Sequence, residues 1–164
     1  FYMEYPNSHV VATSIFFIAG ISDWFDGYLA RKLNQQRALG AFIDPLADKL
    51  MVVVVLCMLI AEHPNNNWLL FSAIIIIARE IFVSSLREWM SSQGKADAVV
   101  VSFVGKVKTF AQLWALGFLI YEQDLFGLPI FTIGIGLIVW AALITFFSMF
   151  NYLRSAWKTI KRSA

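Results

Sequence analysis

The chain has 164 residues, a formal net charge of +2, 59% hydrophobic residues and 15 Phe, with a mean hydropathy of +0.68. The length is that of one domain. The apolar content exceeds what a soluble core of this size needs, so composition excludes an ordinary soluble domain and points to a membrane protein.

The chain opens FYMEYPNSHV, with neither an initiator Met nor the basic start of a signal peptide. It reads as a single transmembrane domain, 1–164, whose N-terminal helix and most of a first span lie upstream. Five spans follow, each near the ~20 residues that cross a bilayer. They are expected at Val10 to Leu33, Ala41 to Ala61, Trp68 to Met90, Val99 to Tyr121 and Pro129 to Leu153. The breaks RKLNQQRALG, EHPNNN, SSQGKAD and EQDLFGLP are polar, small or rich in turn formers. No internal repeat or low-complexity segment interrupts them.

The first span ends in SDWFDGYLARK, where Asp23, Asp26, Gly27, Ala30 and Arg31 are spaced i, i+3, i+4, i+7 and i+8 and share one helical stripe. The second span begins with Gly40, Asp44 and Asp48 at i, i+4, i+8, a second stripe, with Pro45 expected in the first helical turn. A short connection makes these two helices antiparallel neighbours, so the stripes face each other at one depth. Four carboxylates converging there repel one another, and burying even one unpaired ion costs several kcal/mol. Protons or cations must neutralise them. A cluster of hard oxygen ligands suits Mg²⁺ or Mn²⁺, and two such ions can share four carboxylates and serve in-line displacement at phosphorus. Gly27 and Gly40 leave room for a ligand against the backbones. The plainer reading, snorkelling helix ends with interfacial ion pairs, suits Arg31, Lys32 and Arg37 taken singly better than it suits the aspartates. Cys57, the one cysteine, lies further along this span in MVVVVLCMLI and has no partner for an internal disulfide.

The third span carries IARE and SLREW. Arg79 and Arg87 are candidates for phosphate oxygens, although an ion pair with Glu80 or with an aspartate also accounts for Arg79. Glu88 is read as a partner for Arg87 or water. The fourth span opens GKVKTFAQ. Lys106 and Lys108, two apart, cannot share a face, so one is expected at a phosphate and the other at lipid headgroups, unless both only orient the chain. In the last span Gly134 and Gly136 permit close helix contact. The tail RSAWKTIKR reads as an interfacial anchor to anionic lipid.

Charge placement orients the bundle. Arg31, Lys32, Arg37, Arg87, Lys95, Lys106, Lys108, Arg154, Lys158, Lys161 and Arg162 fall in alternate connections and the tail, while the other connections carry Glu4, Glu62, Glu122 and Asp124 and no Lys or Arg. The positive-inside rule puts the basic side, with the C-terminus, in the cytoplasm. His9 and His63 fall on the acidic, outer side, away from any of the chemistry expected of the chain.

The pattern D-x2-D-G-x2-A-R-x8-G-x3-D-x3-D, complete as Asp23, Asp26, Gly27, Ala30, Arg31, Gly40, Asp44 and Asp48, resembles the signature of the CDP-alcohol phosphatidyltransferase family. WFDGYLAR, GAFIDPLADK, AREIFVSSLREW and GKVKT extend the likeness to that family's bacterial phosphatidylglycerophosphate-forming branch, over nearly the whole chain. The resemblance implies an all-α, multi-pass enzyme of six helices, five of them visible here. It implies a homodimer in the bacterial cytoplasmic (inner) membrane with its active site facing the cytoplasm. It implies that Asp23, Asp26 and Asp44 bind divalent metal, that Asp48 is general base and also a metal contact, and that Gly27, Ala30, Arg31 and Gly40 line the CDP site. The implied reaction joins CDP-diacylglycerol and sn-glycerol 3-phosphate to give phosphatidylglycerophosphate and CMP. Membrane lipid is an expected partner and nucleic acid is not. The chain departs from the family at its front, where an interfacial helix and a first span precede this point in family members. Two other readings stand beside this one: a sibling transferase with a cardiolipin-, inositol phosphate- or serine-type acceptor, and a small ion-coupled transporter using intramembrane carboxylates.

Overall fold

The computed structural model describes the backbone of residues 8–32, 38–92 and 103–161, and side chains for 8–22, 25, 46–92, 109–150, 153–154 and 157. Among these residues the chain forms five α-helices: α1 (Ser8–Lys32), α2 (Ala38–Glu62), α3 (Asn67–Ser92), α4 (Phe103–Tyr121) and α5 (Ile130–Lys161). They follow the five expected spans, because long apolar runs facing lipid must satisfy every backbone group internally, and a helix does so. Hydroxyls inside these runs also find local acceptors. Thr13 and Ser14 donate to the carbonyls of His9 and Val10, and Ser84 and Ser85 to those of Glu80 and Ile81.

The helix ends have specific causes. Asn66 caps α3, its Oδ1 accepting from the Leu69 N–H at 3.1 Å. α4 closes on Glu122, whose N–H donates to the Phe118 carbonyl at 3.2 Å and whose φ of 61° is left-handed. That conformation suits glycine at a helix C-terminus and costs another L-residue roughly 1–2 kcal/mol. A two-residue turn follows. Leu125 and Leu128 exchange backbone hydrogen bonds around Phe126 and Gly127, both at positive φ, the pattern of a type I′ turn. Pro129 then leads into α5.

One feature differs from the sequence expectation. α2 begins at Ala38, so Pro45 is its eighth residue rather than part of the first turn. Ala38, Leu39 and Ala41 are good helix formers and extend the helix backwards, and the missing Pro45 N–H deprives the Ala41 carbonyl of its usual donor. The tail expected to anchor at the interface is helical, continuous with α5 through Lys161. The expected start of the fourth span, 99–102, lies outside the described residues.

The chain divides into two compact units, residues 1–63 with 116–134 and residues 64–115 with 135–164. In the first, α1 and α2 accompany the end of α4 and the start of α5. Phe16, Leu56, Leu59, Leu116 and Leu119 are buried there, and Gly134 brings α5 against Leu119, whose backbone N lies 3.2 Å from where a Cβ would sit. Gly136 faces open space. In the second unit the buried positions of α3, Leu69, Ala73, Ile76 and Val83, recur at helical spacing.

The outward faces are apolar too. Ile15, Ile74, Ile81 and Phe147 are all more than half exposed, an arrangement that suits hydrocarbon and not water. Asn67–Ser92 and Ile130–Phe150 are long and apolar enough to cross a membrane, and Ser8–Ser22 and Thr109–Tyr121 are shorter apolar stretches. The chain is a membrane protein, all-α as expected.

Candidate functional site

A helix-to-helix ruler can be drawn in the first unit. Ligating atoms of His9, at the start of α1, and Glu62, at the end of α2, lie within 4.8 Å of each other. The two helices are therefore antiparallel. Fourteen residues separate His9 from Asp23, and fourteen separate Asp48 from Glu62. At 1.5 Å per residue, both aspartates fall about 21 Å from the His9–Glu62 end, at one level. By the same count Asp26 and Gly27 come level with Asp44, and Arg31 with Gly40.

These levels concern the backbone. The side chains of Asp23, Asp26, Gly27, Ala30, Arg31, Gly40 and Asp44 lie outside the described residues, as do those of Lys106 and Lys108 on α4. Asp48 is described and exposed.

In the second unit, Arg79 is buried at 9% exposure and its Nη1 donates to Glu80 Oε1 at 2.7 Å. The Glu80 pairing weighed from sequence is therefore present, while Arg87 and Glu88 are exposed. The eight residues between Arg79 and Arg87 rotate a helix by about 80°, enough to turn one arginine inward and the other out.

The structure also assembles a group that hydropathy reading set aside. Glu62 and Glu122 join His9, with all three ligating atoms mutually within 4.8 Å. His9 Nδ1 lies 3.3 Å from Glu122 Oε2 and 3.2 Å from the Ile120 carbonyl, and His63 Nε2 lies 3.3 Å from Glu122 Oε1. The His63 ring packs on Phe131 with centroids 4.6 Å apart. The only trace in sequence was that both histidines fall in the same alternate connections as these acids.

Comparison with known proteins accounts for the α1–α2 pattern. The family description CDP-alcohol phosphatidyltransferase matches residues 1–150. Proteins named CDP-diacylglycerol–glycerol-3-phosphate 3-phosphatidyltransferase are similar over most of their length. That of Yersinia pestis (strain Pestoides F) is 46% identical over 98% of this chain and 86% of its own. That of Yersinia enterocolitica has the same identity and coverage. That of Salmonella choleraesuis (strain SC-B67) is 44% identical over 95% of this chain and 84% of its own. Similarity on this scale, running through a complete eight-residue signature at the paired ends of α1 and α2, leads to one conclusion: the chain belongs to the CDP-alcohol phosphatidyltransferase family.

Proposed function

We propose that this chain is an enzyme of phospholipid biosynthesis that transfers the phosphatidyl group of CDP-diacylglycerol to sn-glycerol 3-phosphate, giving phosphatidylglycerophosphate and CMP. The observation that carries the reading is the 46% identity over 98% of the chain to relatives named for that reaction. The whole chain acts as one transmembrane catalytic domain. The resemblance supports a homodimer. The resemblance also supports a bacterial inner membrane, and the positive-inside distribution supports aspartates on the cytoplasmic side.

The donor set supports a divalent-metal site. Asp23, Asp26, Asp44 and Asp48 offer oxygen alone, at paired backbone levels, which fits Mg²⁺ or Mn²⁺, two ions in all, and disfavours softer metals. Bound there, such ions supply charge stabilisation to the diphosphate and to the attacking and leaving oxygens. Gly27 and Gly40 admit the nucleotide against the helix backbones, beside Ala30, and Arg31 offers its fork to the diphosphate. Asp48 removes the proton from the attacking hydroxyl of glycerol 3-phosphate. A bond forms from that oxygen to the phosphorus bearing diacylglycerol, and the bond from phosphorus to the CMP oxygen breaks. For the acceptor's own phosphate the candidates by chemistry are Arg79, Arg87 and Lys106 or Lys108. A site at helix ends suits two substrates of which one stays in lipid and the other arrives in water.

The test is CMP release from CDP-diacylglycerol by purified protein in lipid, with and without Mg²⁺ or Mn²⁺. Release that needs both the ion and sn-glycerol 3-phosphate is expected. Release with phosphatidylglycerol, inositol phosphate or serine in its place reassigns the acceptor, and none with any acceptor refutes the transferase.

A further inference from the structure

We infer that His9, Glu62 and Glu122 form a second metal site, for a divalent cation of the zinc class, at the end of the first unit opposite the aspartates, with His63 orienting Glu122.

Charge is the first reason. Glu62 and Glu122 bring ligating oxygens within 4.8 Å of each other and of a His9 ring nitrogen. The described segments that build this end, residues 8–10, 61–63 and 121–130, contain no Lys or Arg. Two carboxylates held together need a positive partner, and these segments supply no fixed one.

Geometry is the second. Zinc bound by imidazole and carboxylate at about 2.0–2.2 Å in a tetrahedron sets neighbouring ligand atoms roughly 3.3–3.6 Å apart, and His9 Nδ1 stands 3.3 Å from Glu122 Oε2. The same nitrogen stands 3.2 Å from the Ile120 carbonyl, so a cation bound there takes the place of the proton of that hydrogen bond.

The third reason is an unsatisfied atom. His63 Nε2 is buried and makes no hydrogen bond, although Glu122 Oε1 is 3.3 Å away. A small turn of the carboxylate onto a cation closes that bond, giving the outer contact that metal-bound carboxylates characteristically have. Glu122 also occupies a left-handed backbone position at φ 61°, so a residue ill-suited to the conformation stands where its carboxylate reaches both histidines.

Mixed imidazole and carboxylate donors suit Zn²⁺ and its transition-metal neighbours and are foreign to Mg²⁺. The ligands come from residues 9, 62 and 122, so the ion staples the start of α1, the end of α2 and the α4–α5 turn. This inference is independent of the transferase reading and uses none of its residues.

The test is Zn²⁺ titration by calorimetry on the full chain in lipid nanodiscs, with saturating Mg²⁺ present to occupy the aspartates. Co²⁺ absorption serves as a second probe. One equivalent of Zn²⁺ is expected, with the intense visible bands of low-coordinate Co²⁺. Glu122→Gln and His9→Gln weaken binding at least a hundredfold, and His63→Phe about tenfold, as for an outer contact. Asp48→Asn leaves binding unchanged. Glu62→Gln alters an exposed side chain at little risk to folding, and it also weakens binding at least tenfold. Two results overturn the inference. One is the absence of Zn²⁺ binding by folded wild-type chain, which leaves a group of His–Glu ion pairs. The other is Zn²⁺ binding lost in Asp48→Asn but kept in Glu62→Gln, which returns the ion to the aspartates.

Discussion

Removing Glu80 is expected to harm the fold more than removing Glu80 and Arg79 together. The two side chains are 19% and 11% exposed and share a 2.7 Å hydrogen-bonded ion pair. Stranding one charge of a fully buried pair costs about 3–5 kcal/mol. Partial exposure relieves some of this, so Glu80→Leu, which takes the 2.7 Å partner from the deeper guanidinium, should cost about 2–3 kcal/mol. Arg79→Met takes this partner from the better-hydrated carboxylate and should cost about 1–2 kcal/mol. With both replaced by apolar residues the loss should fall to about 1 kcal/mol or less, because apolar packing replaces a pair that was expensive to desolvate. Unfolding of the four proteins from mixed micelles, followed by helicity, gives the coupling energy directly. A double variant as damaged as the sum of the singles, with coupling below about 0.5 kcal/mol, refutes the reasoning. The same folded double variant tests the proposed role of Arg79. It should raise KM for sn-glycerol 3-phosphate far more than KM for CDP-diacylglycerol, and equal rises on both count against acceptor binding.

Other outcomes follow from single residues. Asp48→Asn at saturating Mn²⁺ should cut turnover at least a hundredfold by loss of the base, and normal CMP release would rule that role out. Gly134→Ala sets a methyl 3.2 Å from the immovable Leu119 backbone N. It should destabilise by about 1–2 kcal/mol, whereas Gly136→Ala, with nothing within 4 Å, should stabilise by up to about 1 kcal/mol. Equal effects at the two glycines in thermal unfolding would show that α5 does not approach α4 so closely. Asn66→Ala removes the α3 cap and should cost about 1 kcal/mol, with Asn66→Asp restoring it. If Asn66→Asp unfolds at the temperature of the alanine variant, the cap contributes nothing.

Much of this protein was legible in its residues one stretch at a time. Hydropathy is a local property, so five apolar runs announced five helices, and turn formers such as HPNN and LFGLP marked the breaks between them. Spacing within a helix is local too, which is why Asp23, Asp26, Gly27 and Arg31 declared a stripe, and Gly40, Asp44 and Asp48 another, before any packing was known. The error at Pro45 was local as well: helix-forming residues before it carried α2 further back than the proline suggested.

What the sequence by itself determined is therefore the helices, their orientation relative to the charged connections, and the residue chemistry of the motif. All of these depend on neighbours within a few positions. Only the tertiary structure decided which ends meet. His9, Glu62 and Glu122 are far apart in the chain, and no periodicity links them. Their convergence depends on how α1, α2 and the α4–α5 turn pack within the first unit. That packing also provides the ruler that brings Asp23 level with Asp48. The rotamer that points Arg79 at Glu80 was one of several the sequence allowed, and burial of α3 selected it.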